Sequence, residues 1–203
     1  QKEDYLTPLL SGEVFSSYSM TEPHAGADPT MFTTRAEKDG DEWVINGWKF
    51  FSSNANTASF LIVMVVTNPE VSAYKGMSMF LVPTDTPGVN IVRNVGLGGE
   101  PLGHGSHALI HYEDARVPED ALLGGEGQAF AIAQTRLGGG RIHHAMRTVG
   151  LSQKALDMLC ERALSRETQG SLLADTQFVQ GYIADSYAQL LQFRLLTLYT
   201  AWE

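Results

Sequence analysis

All eight prolines of this 203-residue chain lie at or before Pro118, and fourteen of its twenty glycines at or before Gly127. Proline lacks an amide donor and clashes inside a helix, and glycine weakens one, so long helices belong to the remaining stretch. Charge divides at the same place. Residues 1–127 carry 17 acids and 7 bases, net −10, whereas residues 128–203 carry 6 acids and 7 bases, net +1. The chain is expected to be two different structures joined near Gly124–Gly127.

The first stretch reads as β structure. Trp43–Ile45 and Trp48–Phe51 flank Asn46-Gly47, the dipeptide favoured in type I′ turns, which predicts a hairpin there. Phe60–Val66 is an apolar, β-branched run, and Met77–Val82 is another, stopped by Pro83. Val89–Arg93 follows the Pro87-Gly88 turn, and Ala108–Tyr112 ends before Val117-Pro118. Strands at this spacing, uninterrupted by helix, predict an antiparallel barrel or sandwich rather than a doubly wound parallel sheet. Neither GxGxxG nor GxxxxGK[ST] is present.

The second stretch reads as two helices, about 128–167 and 175 to the end, joined by Gln169-Gly170-Ser171. Leu151, Ala155, Met158, Leu159 and Arg162 recur at helical steps in the first. Phe178, Tyr182, Ile183, Tyr187, Leu190, Leu191, Leu195 and Tyr199 form an apolar stripe in the second. The short connection predicts an antiparallel pair, and two such apolar faces need further partners. With no stop signal at Ala201-Trp202-Glu203, the chain is expected to be a fragment or to have its missing faces supplied by another chain. The fold class is thus α+β multidomain: an antiparallel β domain, then half of a four-helix bundle.

Composition bounds the partners. A net charge of −9 argues against nucleic acid, which needs a basic face. No apolar run approaches the ~18 residues of a membrane helix, and QKEDYLTPLL lacks the basic start and apolar core of a signal peptide. Cys160 is the only cysteine, so no intrachain disulfide or zinc cluster is expected and a reducing compartment fits.

Three segments carry potential chemistry. Tyr18–Asp28, rich in small and hydroxyl residues, is either a turn-rich connection or a loop offering N–H groups and a hydroxyl to a phosphate or polar ring edge. Gly138-Gly139-Gly140-Arg141 interrupts a helical pattern at about 0.8–1 kcal/mol per glycine. It is either a kink or a place where absent side chains leave room for a ligand, with Arg141 facing an anion or carbonyl. His143 and His144 are neighbours, do not share a helix face, and are not expected to bind a metal. Arg166, at a helix end, can hold a terminal carbonyl or bind a phosphate bidentately.

Together, YSMTEPHAGAD (18–28), INGWKFFSSN (45–54), EDARVP (113–118) and SRETQG (165–170) with Gln177 resemble the acyl-CoA dehydrogenases, in order and spacing across essentially the whole chain. GRIHHAMRTVGL (140–151) is most similar to the subfamily often fused to a kinase-like phosphotransferase domain. The resemblance implies three parts. Residues 1–14 are the tail of an N-terminal helical domain, 15–124 a middle β domain, and 125–203 the first part of a C-terminal helical bundle.

The activity it implies is α,β-dehydrogenation of an acyl-CoA with FAD as hydride acceptor. By the same resemblance Tyr18, Met20, Thr21, Phe50, Phe51 and Ser53 line the flavin, with Thr21 at its pyrimidine edge. Gly26 and Ala27 sit near the pyrophosphate, Ala27 also at the substrate. Phe51 stands where Trp is common, Ser53 where Thr is, and Ala27 where many members carry Ser. Arg166, Thr168 and Gln177 reach the FAD of a neighbouring subunit, although Gln169 replaces a more usual Phe there. Gly138, Gly139, Gly140 and Arg141 line the thioester and acyl path.

In most members the catalytic base is a carboxylate late in the bundle; in a minority it immediately precedes the arginine matched here by Arg141. That position is Gly140, which cannot take a proton, so no residue of 1–203 is expected to be the base. Implied partners are acyl-CoA, a second or further copy of the chain in a dimer or tetramer, and electron-transfer flavoprotein. The implied location is the cytoplasm of a bacterium, or the mitochondrial matrix or peroxisome of a eukaryote. An acyl-CoA oxidase on the same scaffold and a non-catalytic binding module remain as alternatives, and the latter predicts no flavin.

Overall fold

The computed structural model describes residues 1–26, 28–96, 98–101 and 104–203. They form two compact units, Gln1–Ala133 and Gln134–Glu203.

The first unit opens with a single π-helical turn, Lys2–Leu6, running into the short helix α1 (Thr7–Ser11). Seven strands follow: β1 (Ser16–Ser19), β2 (Arg35–Asp39), β3 (Glu42–Ser53), β4 (Phe60–Val66), β5 (Met77–Pro83), β6 (Val89–Val95) and β7 (His107–Pro118). They make one mixed sheet. β5 pairs antiparallel with one edge of β4 along its length, while β1 and β2 share the other edge, both parallel to β4. β2, β3, β7 and β6 then continue in antiparallel order. The two parallel pairings qualify the all-antiparallel expectation. Phe60–Val66 and Met77–Pro83 are nearly continuous apolar runs because almost every residue in them is buried. Trp43, Ile45, Val63, Phe80, Val82, Ile110 and Tyr112 belong to the main core.

The expected hairpin at Asn46-Gly47 does not form. Both halves belong to one strand, β3, and the chain reverses instead at Gly40-Asp41, where Asp39 faces Glu42. Gly40 has φ +62, as the first central position of a type II′ turn requires. Gly47 serves another purpose. It has φ +136 at a register shift of β3 on β7, and a Cβ there would lie 2.6 Å from Thr34 Cα. The Thr34 hydroxyl fills that space, bonded to both the N–H and the C=O of Trp48. β7 also runs past the expected end at Tyr112 to Pro118, pairing with β3 as far as Glu42.

The second unit holds the part of α2 (Ala129–Ser165) from Gln134 onward, a small hairpin of β8 (Glu167–Thr168) and β9 (Ser171–Leu172), and α3 (Gln177–Trp202). Gln169 (φ 51) and Gly170 (φ 84) form the hairpin's two-residue turn, both left-handed as a type I′ turn demands. The antiparallel helices meet through Val149, Leu156 and Leu190, flanked by Met146, Cys160 and Ile183. Of the apolar stripe expected on α3, Ile183 and Leu190 pack against α2. Phe178, Tyr182, Tyr187, Leu195 and Tyr199 are all exposed, because α3 carries apolar residues around its whole circumference and α2 covers one narrow strip. Leu151 and Met158 of α2 are exposed for the same reason, the strip running through Val149 and Leu156.

Candidate functional site

Two sequence-predicted groups converge in the first unit. Parallel pairing with β4 carries Ser16–Ser19 along the sheet, after which Met20–Gly26 leaves it as a loop. The Phe50 N–H donates to the Thr21 carbonyl (2.8 Å), joining that loop to β3. Just beyond, β3 bulges: Lys49 faces Ile110 and Ser52 faces Ala108, three steps on one strand against two on the other. A bulge re-aims side chains, and here it turns Phe51 outward with φ +60, a conformation costing about 1–3 kcal/mol for a bulky residue. Phe51 is 54% exposed and stacks on Phe50 with centroids 3.9 Å apart. Arg93 Cζ lies 5.9 Å from the Phe50 ring centroid.

Polar networks beneath this surface hold it. Ser52 Oγ donates to Ser19 Oγ (2.9 Å), and Ser19 Oγ is bonded to Tyr112 Oη (3.1 Å), all three residues buried. Burial pushes the Tyr112 phenol well above its usual range. On the exposed side Ser53 Oγ is hydrogen-bonded to His107 Nδ1 (2.8 Å).

The second network is ionic. The side chains of Glu22 and Lys49 are completely buried, with Lys49 Nζ donating to Glu22 Oε1 (2.9 Å) and to the Met20 carbonyl (2.7 Å). Glu22 Oε2 accepts from the Thr33 N–H (2.7 Å) and hydroxyl, and Oε1 accepts from the Thr34 N–H (3.0 Å). His24 Nε2 stands 3.7 Å from the same carboxylate, and the Phe32 ring centroid lies 4.4 Å from Lys49 Nζ. Burial pushes Lys49 down to about 8. Burial also favours protonated Glu22, but the Lys49 charge and the Thr33 and Thr34 bonds outweigh it and hold the carboxyl below its ordinary range.

Sequence reasoning missed this pair, the Ser19–Ser52–Tyr112 chain and His107. A signal existed for Lys49: its parity with Trp43 and Ile45 along β3 puts it on the inward face. A lysine there needs a buried partner.

Tyr18, Met20 and Thr21 are half-buried at the end of β1 and the start of the loop, and Gly26 is exposed with φ +55, bridged to Glu22. Ala27 lies outside the described residues. Exposed aromatic surface at Phe51, with hydroxyl side chains at Thr21 and Ser53 on the two joined segments, suits a planar ring that is apolar on its face and polar at its edge. The donor set therefore fits a flavin.

The other predicted residues lie in the second unit. Gly138, Gly139 and Gly140 stand inside continuous helix with no break at them, and a Cβ at any of them would meet nothing within 4 Å. Arg141 Nη2 donates to Gln134 Oε1 (2.9 Å). Arg166 is exposed at the end of α2, and its backbone closes the turn: its N–H donates to the Arg162 carbonyl and its carbonyl accepts from Leu173. Thr168 and Gln177 are exposed on β8 and at the first residue of α3. Among the described residues no three His, Cys, Asp or Glu side chains are placed to hold a metal ion, and no helix is long and apolar enough to cross a membrane.

Residues 17–108 match the acyl-CoA dehydrogenase middle-domain model, and residues 127–203 the acyl-CoA dehydrogenase C-terminal-domain model. "Probable acyl-CoA dehydrogenase FadE2" of Mycobacterium tuberculosis is 45% identical over 100% of this chain and 50% of its own length. "Acyl-CoA dehydrogenase family member 11" of Gallus gallus is 44% identical over 99% of this chain and 26% of its own. A solved Mycobacterium abscessus structure described as an acyl-CoA dehydrogenase superposes with a TM-score of 0.89 at 40% identity, over 100% of this chain and 50% of that one. The chain thus spans half the length of its mycobacterial relatives and about a quarter of the avian one.

Proposed function

Because the chain belongs to the acyl-CoA dehydrogenase family, we propose that it forms part of an FAD-dependent enzyme that introduces an α,β double bond into an acyl-CoA thioester. The observation carrying this reading is the Phe50 N–H to Thr21 carbonyl bond, which joins the two segments expected at the flavin, beside the bulge that exposes Phe51. FAD, when bound, supplies the acceptor for the β hydride. The chain's own residues bind and orient. Thr21 and Ser53 offer hydroxyls to the ring edge, with His107 orienting Ser53. Tyr18, Met20, Phe50 and Phe51 supply apolar contact, and Gly26 with Ala27 admits the pyrophosphate. In the helical unit Arg166, Thr168 and Gln177 contact the FAD of a neighbouring copy, and Gly138–Gly140 with Arg141 line the thioester path.

Loss of the α proton requires a base, and we assign none within residues 1–203: Gly140 has no side chain to accept it. The remaining assignments belong to the same proposal. They are the boundaries 1–14, 15–124 and 125–203, a homo-oligomer, electron-transfer flavoprotein as acceptor, and a cytoplasmic, mitochondrial-matrix or peroxisomal location.

The test is spectroscopic and catalytic on one preparation. FAD added to the 203-residue chain is expected to bind, with quenched fluorescence and a perturbed absorption band. No turnover of acyl-CoAs of varied chain length with an artificial electron acceptor is expected. Failure to bind FAD sinks the flavin reading. Turnover that depends on a residue within 1–203 sinks the assignment of the base, and peroxide release during turnover points to the oxidase.

A further inference from the structure

We propose that Lys49 and Glu22 are a positioning pair for the cofactor edge, fixing Met20–Gly26 so that Thr21 is presented in one place beside Phe50. The inference rests on the flavin reading above and assigns a role to two residues that do not themselves line the expected site.

Among the described residues, the side-chain hydrogen bonds of the pair outside itself go to the backbone or hydroxyls of residues 20–34: Lys49 to the Met20 carbonyl, Glu22 to Thr33 and Thr34. The loop is thereby pinned on both sides of Thr21, at Met20 by the ammonium and at Glu22 by the two threonines. The Thr21 carbonyl itself is held by Phe50. Past the pair, His24 Nε2 is bonded to the Met31 carbonyl (3.2 Å) and to the Thr33 hydroxyl.

Stability alone is a poor account of such a pair. Replacing a buried ion pair with apolar residues of similar volume is often neutral or stabilising. What an apolar pair cannot reproduce is directed bonding to one carbonyl and two N–H groups in a segment that has left the sheet. The titratable groups facing Lys49 Nζ and the carboxylate are each other and His24, with the Phe32 ring covering the ammonium.

The experiment compares the 203-residue wild type with Lys49→Met and with the uncharged double variant Glu22→Gln/Lys49→Met, which keeps the question open if the single variant does not fold. FAD affinity is read by fluorescence titration across pH 6–9, and amide exchange is followed by mass spectrometry in 18–28 and in β5. Expected results are a loss of FAD affinity of about tenfold, equivalent to ~1.4 kcal/mol, and faster exchange in 18–28 with β5 protection retained. The wild-type affinity is expected to change as Lys49 loses its proton near pH 8, a dependence missing from the double variant. Affinity within twofold of wild type, or protection lost equally in 18–28 and β5, overturns the inference. If the wild type itself takes up no FAD, the flavin reading falls first and takes the inference with it. If the wild type binds and the variants bind alike, the inference alone falls.

Discussion

At Lys49 the alternation of β3 places an ammonium where Trp43 and Ile45 place rings and methyls, and the pair with Glu22 is what makes this tolerable. Glu22→Gln leaves that charge buried without a counter-charge, so the variant is expected to lose about 3–5 kcal/mol at neutral pH. The sign of its pH dependence follows from proton counts. Lys49 titrates at about 8 in the folded wild type against 10.5 unfolded, and without the Glu22 charge that raises it the folded value in the variant lies lower, so the variant sheds the buried proton at lower pH than the wild type does. Through that window the unfolded chain binds more protons, and stability rises with pH. Urea denaturation should therefore find the variant less impaired at pH 9 than at pH 7; an equal or larger deficit at pH 9 would refute the assignment. Gly47 is constrained differently, by φ +136 and by Thr34, whose Cα would lie only 2.6 Å from an added Cβ. Gly47→Ala is expected to destabilise by about 2–4 kcal/mol, combining backbone strain with overpacking, read as a lower urea midpoint with unchanged slope.

Elements were legible in proportion to how far their burial pattern followed their own period. β4 and β5 show as apolar runs because both faces are covered, and α2 and α3 because no proline interrupts them. β1 (SSYS) and β2 (RAEKD) gave no such signal: one is hydroxyl-rich, and the other buries a single residue, Ala36. The Asn-Gly dipeptide misled because a left-handed glycine serves a strand irregularity as well as a turn, and only Thr34, thirteen residues before Gly47 in the chain, distinguishes the two. Gly138–Gly140 permit an element-scale test. No obstacle stands within 4 Å of a Cβ at any of them, so replacing all three by alanine should stabilise the helix by roughly 2–3 kcal/mol. A higher midpoint with weakened acyl-CoA binding, in any longer form of the protein that binds it, supports the reading that they leave space for substrate. A higher midpoint with unchanged binding denies it.

For the molecule as a whole, the proposed function makes FAD the ligand to test. A ligand that binds only the folded state stabilises it by about 2.7 kcal/mol at one hundred times its Kd, so the thermal midpoint should rise with FAD concentration and a flat response would deny specific binding. The uneven burial of the two units bears on the same scale. The β unit gathers Trp43, Phe80 and Tyr112 into a buried core, whereas α3 exposes aromatic and aliphatic side chains from Phe178 to Trp202. Its apolar residues on every side exceed what one neighbouring helix can cover.

By itself the sequence determined the division into a β part and a helical part, most strand and helix positions, and the family. Those depend on local chemistry: proline and glycine placement, apolar runs, and short motifs in a set order. Only the tertiary structure decided that Tyr18–Gly26 and Phe50–Ser53 meet, that β3 bulges to expose Phe51, and that Lys49 and Glu22 share a buried bond. The physical reason is that hydrogen bonds and ion pairs between distant residues depend on sheet register, and register is a property of several strands together. A periodicity confined to one strand shows which side chains turn inward, and it is silent on which partner they find there.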